Sequence, residues 1–194
     1  MKRFAKMTME KMASLTVLPV WLIFLIHSCL LGRQRASIAV AQRASKWPGL
    51  FGEYRRRMLF KRIISRMGKD VVISFGSILT KPSVELGDGV YIGSHCLLGD
   101  VRIGENTLLA DYVCIPSGSH QHEFTRLDIP IRQQPSQLEV IHLGRDCWIG
   151  SGAVILADVG DHCVVGAGSI VVKPVADYQI VAGNPAKTIG DRRK

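Results

Sequence analysis

LGDGVYIGSHCLLGDVRIGENTLLADYVCIPSGSH, residues 86–120, falls into sixes. The units are LGDGVY, IGSHCL, LGDVR (one residue short), IGENTL, LADYVC and IPSGSH. Each begins with Leu or Ile, and the second residue is most often Gly. The fifth is small or medium-sized: Val90, Cys96, Thr107, Val113. Upstream, ISFGSI and LTKPSV follow the same rule from Ile73, with Glu85 as one extra residue. Downstream, LGRDCW, IGSGAV and VGAGSI resume it, with Cys147, Ala153 and Ser169 in fifth place. A six-residue period with an aliphatic at one fixed position is the signature of a parallel β-helix. Each unit supplies a short strand and a sharp corner, and three units close one triangular coil. The aliphatics then stack as an internal ladder, and the fifth residues face inward where the corner leaves little room. Ser77 and Ser83 take that place in the first two units. Cys96, Cys147 and Cys163 fall at or near it, so they read as packed thiols rather than nucleophiles or ligands.

Composition agrees. The chain has 194 residues, 47% hydrophobic but only 7% aromatic, with 19 glycines. The apolar residues are therefore mainly Val, Ile, Leu and Ala, suited to a narrow β core. The expectation is a mainly β chain, with hexads over 71–176 and a short tail over 177–194. The five cysteines are odd in number, form no CxxC, and follow no evident cleavable leader. That pattern suits a reducing compartment.

The positive charge is concentrated at the start. Residues 1–14 carry +3 and 33–66 carry +9, whereas 67–194 carry −3. Between the two basic stretches lies LTVLPVWLIFLIHSCLL, residues 15–31, without a charge. Seventeen residues of helix span about 25 Å, short of the ~30 Å hydrocarbon core. Pro19 and His27 argue against an ordinary span, so residues 1–32 read as a short membrane anchor or re-entrant segment. In residues 33–70, Pro48 and Gly49 predict two helices. The second, EYRRRMLFKRIISR, gathers Met58, Leu59 and Ile63 on one face among arginines. It reads either as a basic amphipathic helix for an anionic lipid surface or as a helix packed on the domain. The greater charge after the apolar run favours the cytoplasmic face of the inner membrane for the rest of the chain. No aromatic-interleaved motif accompanies the basic residues, so a nucleic-acid partner is not expected.

LGDGVYIGSHCL, GSHQH, LGRDCWIGSGAVIL, VGAGSIVVK and VAGNPAK together resemble hexapeptide-repeat O-acetyltransferases, in the branch that acetylates polysaccharide sugars. The resemblance spans roughly residues 71–190. WPGLFGEYRRRMLF is similar to the segment that precedes the β-helix in membrane-associated members. The resemblance implies a left-handed β-helix, a homotrimer with sites between subunits, and acetyl-CoA as co-substrate with no metal. It also explains why the regular coils stop at IPSGSH. A loop, residues 119–142, leaves the helix there, and loops on rigid scaffolds carry substrate contacts.

Carried over from the family, His120 at the loop's base is the general base on the acceptor hydroxyl, of a sugar or a lipid-linked glycan. Histidine changes charge near neutral pH, which suits that role. His122 competes for it and is otherwise a substrate contact, as are His95 and Asp100. Ser151 and Ala167 match positions whose backbone meets the pantetheine arm, and Lys173 and Lys187 match basic residues near the phosphates. Two departures stand out: ILADVGDHCVV is two residues short, and Val172 replaces a Thr. Two other readings stay open. One is a zinc enzyme of γ-carbonic-anhydrase type using His95, His120 and His122. The other is a non-catalytic, membrane-tethered trimeric scaffold.

Overall fold

The computed structural model describes residues 2–194. Four helices come first: α1 (Lys2–Thr16), α2 (Leu18–Leu31), α3 (Arg33–Ser45) and α4 (Gly49–Phe60). Pro19 stands in the first turn of α2, where its missing N–H costs nothing. Gly32, at φ 82°, reverses the chain between α2 and α3. Pro48 and Gly49 separate α3 from α4 as their sequence requires.

The expected left-handed parallel β-helix follows, in about six coils. Its first face pairs Arg66–Met67, Glu85–Leu86, Val101–Ile103 and Ile141–Leu143 in parallel. The second face stacks Val72–Ile73, Tyr91–Ile92, Leu108–Leu109, Trp148–Ile149, Val164–Val165 and Gln179–Gly183. The third stacks Ile78–Leu79, Leu97–Leu98, Cys114–Ile115, Val154–Ile155 and Ile170–Val171. The final strand, Ala186–Asp191, turns back antiparallel on Gln179–Gly183. Residues 177–194 are therefore the end of the ladder rather than a loose tail.

The first position of each hexad is the core. Ile73, Leu79, Leu86, Ile92, Leu98, Leu109, Ile115 and Ile149 are all at most 1% exposed. The fifth positions are buried beside them, and their hydroxyls bond the next coil. Ser77 Oγ donates to Gly93 O at 2.6 Å, and Thr107 Oγ1 donates to Gly144 O at 2.7 Å. Cys96, Cys147 and Cys163 are buried as expected, and burial pushes the Cys96 thiol up to about 11. Ser83 is one exception. It is exposed, and Val84 takes the inner place, because the extra residue in that coil shifts the register by one.

The corners are not equivalent. Inward residues step by six at corner one, between first and second faces, as from Leu86 to Ile92 and from Leu143 to Ile149. They do so again at corner two, between second and third faces, as from Ile92 to Leu98. A residue in the left-handed region sits at each of these turns. Asp70, Gly89, Asn106, Asp146, His162 and Tyr178 line corner one, and Gly76, His95, Tyr112, Gly152 and Gly168 line corner two. Every change of length falls at corner three, between the third face and the next coil's first face. It is one residue long before Leu86 and one short before Ile103. It carries the whole loop before Leu143, and is two short before Val159 and Val175.

The helices close the lower end. The core runs without a break from Met58, Leu59, Phe60, Ile63 and Ile64 into the first coil. The apolar face of α4 is thus buried in the protein and not offered to lipid; packing on the domain is the reading that holds. Arg56 is completely buried at this junction. Its Nε donates to Ile73 O at 2.7 Å and its Nη1 to Trp47 O. Burial pulls its pKa down, and the two carbonyls offset part of the cost of keeping a charge there.

Candidate functional site

Corner three holds the loop and the histidine expected at its base. The entry and exit segments zip together. Glu139 N donates to Ser117 O at 3.0 Å, Gln137 N to His120 O at 3.2 Å, and Ile141 N to Asp100 O at 3.0 Å. Ser117 also reaches down one coil, where its Oγ accepts from Asp100 N at 2.9 Å. Ser83 Oγ donates to Asp100 Oδ1 at 2.7 Å. Asp100 is therefore at the expected corner, one coil below His120, with its carboxylate anchored.

The His120 ring is 72% exposed and is held on one side only. Ser119 Oγ lies 3.1 Å from its Nδ1, and Glu139 Oε1 lies 3.4 Å from the same atom. A carboxylate there favours the proton on Nδ1 and leaves the Nε2 lone pair outward, as a general base requires. Glu139 is a residue that sequence reasoning missed. The only signal for it is positional: an acid at the point where the loop rejoins the coils must return to the loop's starting point. His122, two residues further out, is exposed.

The loop itself is organised by a second missed residue. Gln134 is 5% exposed. Its Nε2 donates to Arg126 O at 2.8 Å and to Ile129 O at 3.3 Å, and its Oε1 accepts from Arg126 N at 3.2 Å. Glu123 N bonds Pro135 O at 2.9 Å. Around this hub the loop turns its apolar side chains outward: Leu127 is 97% and Phe124 71% exposed.

Above the loop's base, an open groove of about 350 Å³ runs from Ser119 and Glu139 past Ala157 and Asp158 to Val172 and Pro174. It follows the two turns that are two residues short. The departure noted in ILADVGDHCVV thus coincides with a groove rather than removing one. Lys173, exposed between Val172 and Pro174, belongs to this corner too. A larger hollow of about 700 Å³ lies along the first face, among Arg66, Arg102, His142 and Arg145 with acidic partners. It meets the groove only at Asp158 and holds no side chain from the loop's base.

The remaining expected residues lie elsewhere on the chain. His95 sits at corner two, stacked on Tyr112 with ring centroids 5.2 Å apart and edge-on to Phe75. Ser151 and Ala167 occupy the same corner on successive coils, both exposed, and Gly168 N donates to Ser151 O at 2.8 Å. Lys187 is on the terminal antiparallel strand, opposite Ala182. One chain thus joins His120, Asp100 and Lys173 at corner three, and His95, Ser151 and Ala167 at corner two. The zinc reading puts its three histidines between subunits; within one chain His95 lies at corner two, and His120 and His122 lie at and beyond the base of the loop at corner three. Among the described residues no three His, Cys, Asp or Glu side chains converge as a metal site.

Comparison with known proteins adds to this geometry. A family described as "Hexapeptide repeat of succinyl-transferase" matches residues 140–173. The chain is 31% identical over 137 residues to "Nodulation protein L" of Rhizobium leguminosarum bv. viciae, covering 65% of this chain and 62% of that protein. It is 30% identical over 146 residues to "Putative colanic acid biosynthesis acetyltransferase WcaF" of Escherichia coli (strain K12), covering 72% of this chain and 76% of that protein. Among solved structures, a maltose O-acetyltransferase from Clostridium difficile 630 superposes with a TM-score of 0.73 at 20% identity. The match covers 84% of this chain and 88% of that one.

Proposed function

The chain belongs to the hexapeptide-repeat acetyltransferase family, and from that membership we propose that it moves an acetyl group from acetyl-CoA to a sugar hydroxyl, in polysaccharide or lipid-linked glycan assembly. The observation that carries the reading is His120, held through Nδ1 by Ser119 and Glu139, two residues that also line the groove. In the proposed reaction Nε2 takes the hydroxyl proton as the oxygen attacks the thioester carbonyl. The C–O bond forms, the C–S bond breaks, and the imidazolium returns the proton to the leaving thiolate. No acyl-enzyme is needed. Asp100, at the same corner, and His122, in the loop, would act on the acceptor.

The donor contacts give the reading its quaternary form. Ser151 and Ala167 line corner two, away from His120 on the same chain. In a homotrimer, corner two of one subunit facing corner three of its neighbour would complete the site. The exposed Leu127 and Phe124 of the loop supply an apolar surface for that contact. We further propose that the enzyme works at the cytoplasmic face of a membrane, held there by its N-terminal helices.

The test is acetyl-CoA-dependent thiol release, read with a chromogenic thiol reagent against a panel of sugars and membrane glycolipid extracts. Wild type should release CoA with the correct acceptor. His120→Ala should lose activity by about a thousandfold while still binding acetyl-CoA. Full activity in that variant removes His120 as the base. Failure to bind acetyl-CoA at all removes the transferase reading.

A further inference from the structure

The first two helices keep a large apolar area outside. In α1 three polar side chains turn toward the protein beside the buried Ala13. Lys6 bonds Asp70, Glu10 accepts from Arg57 Nη1 at 3.1 Å, and Ser14 Oγ accepts from Arg62 Nη2 at 2.8 Å. The opposite side of the same helix is apolar and exposed: Phe4 is 76% and Leu15 67% accessible. In α2 only Val20 and Phe24 are buried, against α3. Leu22, Ile26 and Leu30 are 53%, 59% and 75% exposed. Positions 4, 7, 11, 15, 18, 22, 26 and 29 keep the three-four spacing of one helical face. The exposed faces of the two helices therefore run on, through a 42° bend, as a single surface. Lys11 is its one charge, and the only acid of the two helices, Glu10, is turned inward.

Water does not favour such a surface, and a contiguous apolar patch of this size marks an interface. The neighbouring charge selects the partner. Arg35 and Arg43 of α3 and Lys46 at its end are exposed on one side. A surface that is apolar beneath and anionic at its rim matches both features: a bilayer containing acidic lipid.

Crossing that bilayer is a different matter. Among the described residues no single helix is long and apolar enough to span, and only α1 and α2 together, as a bent pair, reach that length and apolarity. The 14 residues of α2 reach about 21 Å against the ~30 Å required. The buried side of α2 is fastened to α3, and α3 is fastened to the β-helix, since Gly76 N donates to Ser45 O at 2.9 Å and Gln34 Nε2 to Thr80 O at 2.7 Å. Taking α1 inward would drag Arg57 and Arg62 into hydrocarbon.

We infer that α1 and α2 lie in the plane of one leaflet, apolar face down, and do not cross it. This rests on the membrane attachment proposed above and specifies its form. Both ends of the chain then stay on the same side of the bilayer. The test adds full-length protein, tagged at both ends, to preformed phosphatidylcholine vesicles with or without phosphatidylglycerol. After flotation, protease is added outside. The expected result is flotation that increases with phosphatidylglycerol, with both tags cleaved. L22E/I26E should lower the bound fraction by about tenfold without changing the melting temperature, since both side chains are exposed. Wild-type protein that stays in solution overturns the attachment and the inference together. Flotation with the N-terminal tag protected overturns the in-plane arrangement alone and leaves attachment standing. A double variant that floats like wild type removes this face as the contact.

Discussion

Corners one and two of the β-helix keep a six-residue step through every coil; corner three takes an insertion, a deletion, a loop and two double deletions. The two regular corners are ladders of left-handed residues, each bonded to the coil below it, as Asn106 N is to Asp88 O and Tyr112 N to Ser94 O, both at 2.8 Å. A corner locked to its neighbours on both sides has no slack. Corner three lacks that ladder of left-handed residues, so chain can be added or removed there without moving a face. The residues proposed for the chemistry lie where the repeat is permissive, while regularity elsewhere holds them in place.

The sharpest way to break this contrast is to add one residue to each kind of corner. An extra Gly after Asp146 would turn Trp148 inward and Ile149 outward, because side chains alternate along a strand. That should cost on the order of 5 kcal/mol or more, enough to use up the stability of a domain. Circular dichroism should then find little folded protein. The same insertion after Arg132, in the loop, should leave the melting temperature almost unchanged. Equal damage at both sites would mean that corner three is as constrained as the others.

Within corner three, Glu139 is the side chain that couples loop to base. Glu139→Gln should reduce kcat/KM about tenfold through loss of ring orientation, with KM little changed and partial recovery in Glu139→Asp. A purely structural role would instead lower the melting temperature and leave kcat intact. At the regular corners, Gly152 has φ 70° and open space around an added Cβ. Gly152→Ala should cost only the backbone strain, about 1 kcal/mol, seen as a lower urea midpoint.

The smallest effect is expected at His162. Its Nδ1 lies 2.9 Å from Asp146 Oδ2, and the bond from that ring holds the Asp146 carboxyl below its usual range. Asp146 is exposed and His162 only half-buried, so the pair contributes little and His162→Ala should shift the melting temperature by about 2 °C. A depressed carboxylate contributes above its unfolded pKa, and the contribution fades as pH falls through the lower, folded value. Wild type and variant should therefore converge in acid.

Much of this was open to reading from the chain itself. Ile92, Leu98 and Leu109 declare their burial by spacing alone, because a six-residue repeat leaves one geometry for an aliphatic at a fixed position. His120 is conspicuous as the point where the spacing fails. Glu139 and Gln134 were not legible, since their partners are chosen by how an irregular loop closes. The face of α4 was ambiguous for another reason: Leu59 and Phe60 would serve lipid or protein equally, and only the first coil beside them decides. In α1 the inward turn of Lys6 and Glu10 was not legible, because their partners, Asp70 and Arg57, lie far along the sequence.

Arg56 joins the helices to Ile73 and the first coil, and at the far end the strand Ala186–Asp191 runs against the direction of its ladder. A parallel coil offers unpaired edges above and below, so a bare stack could add further coils, or further molecules, without limit. Here a buried guanidinium seals one end and a reversed strand ends one face at the other. The rod therefore has a set length and two unlike tips. A chain begun at residue 71 would expose Ile73 and Leu79 at its lower tip, and such rods would be expected to join end to end.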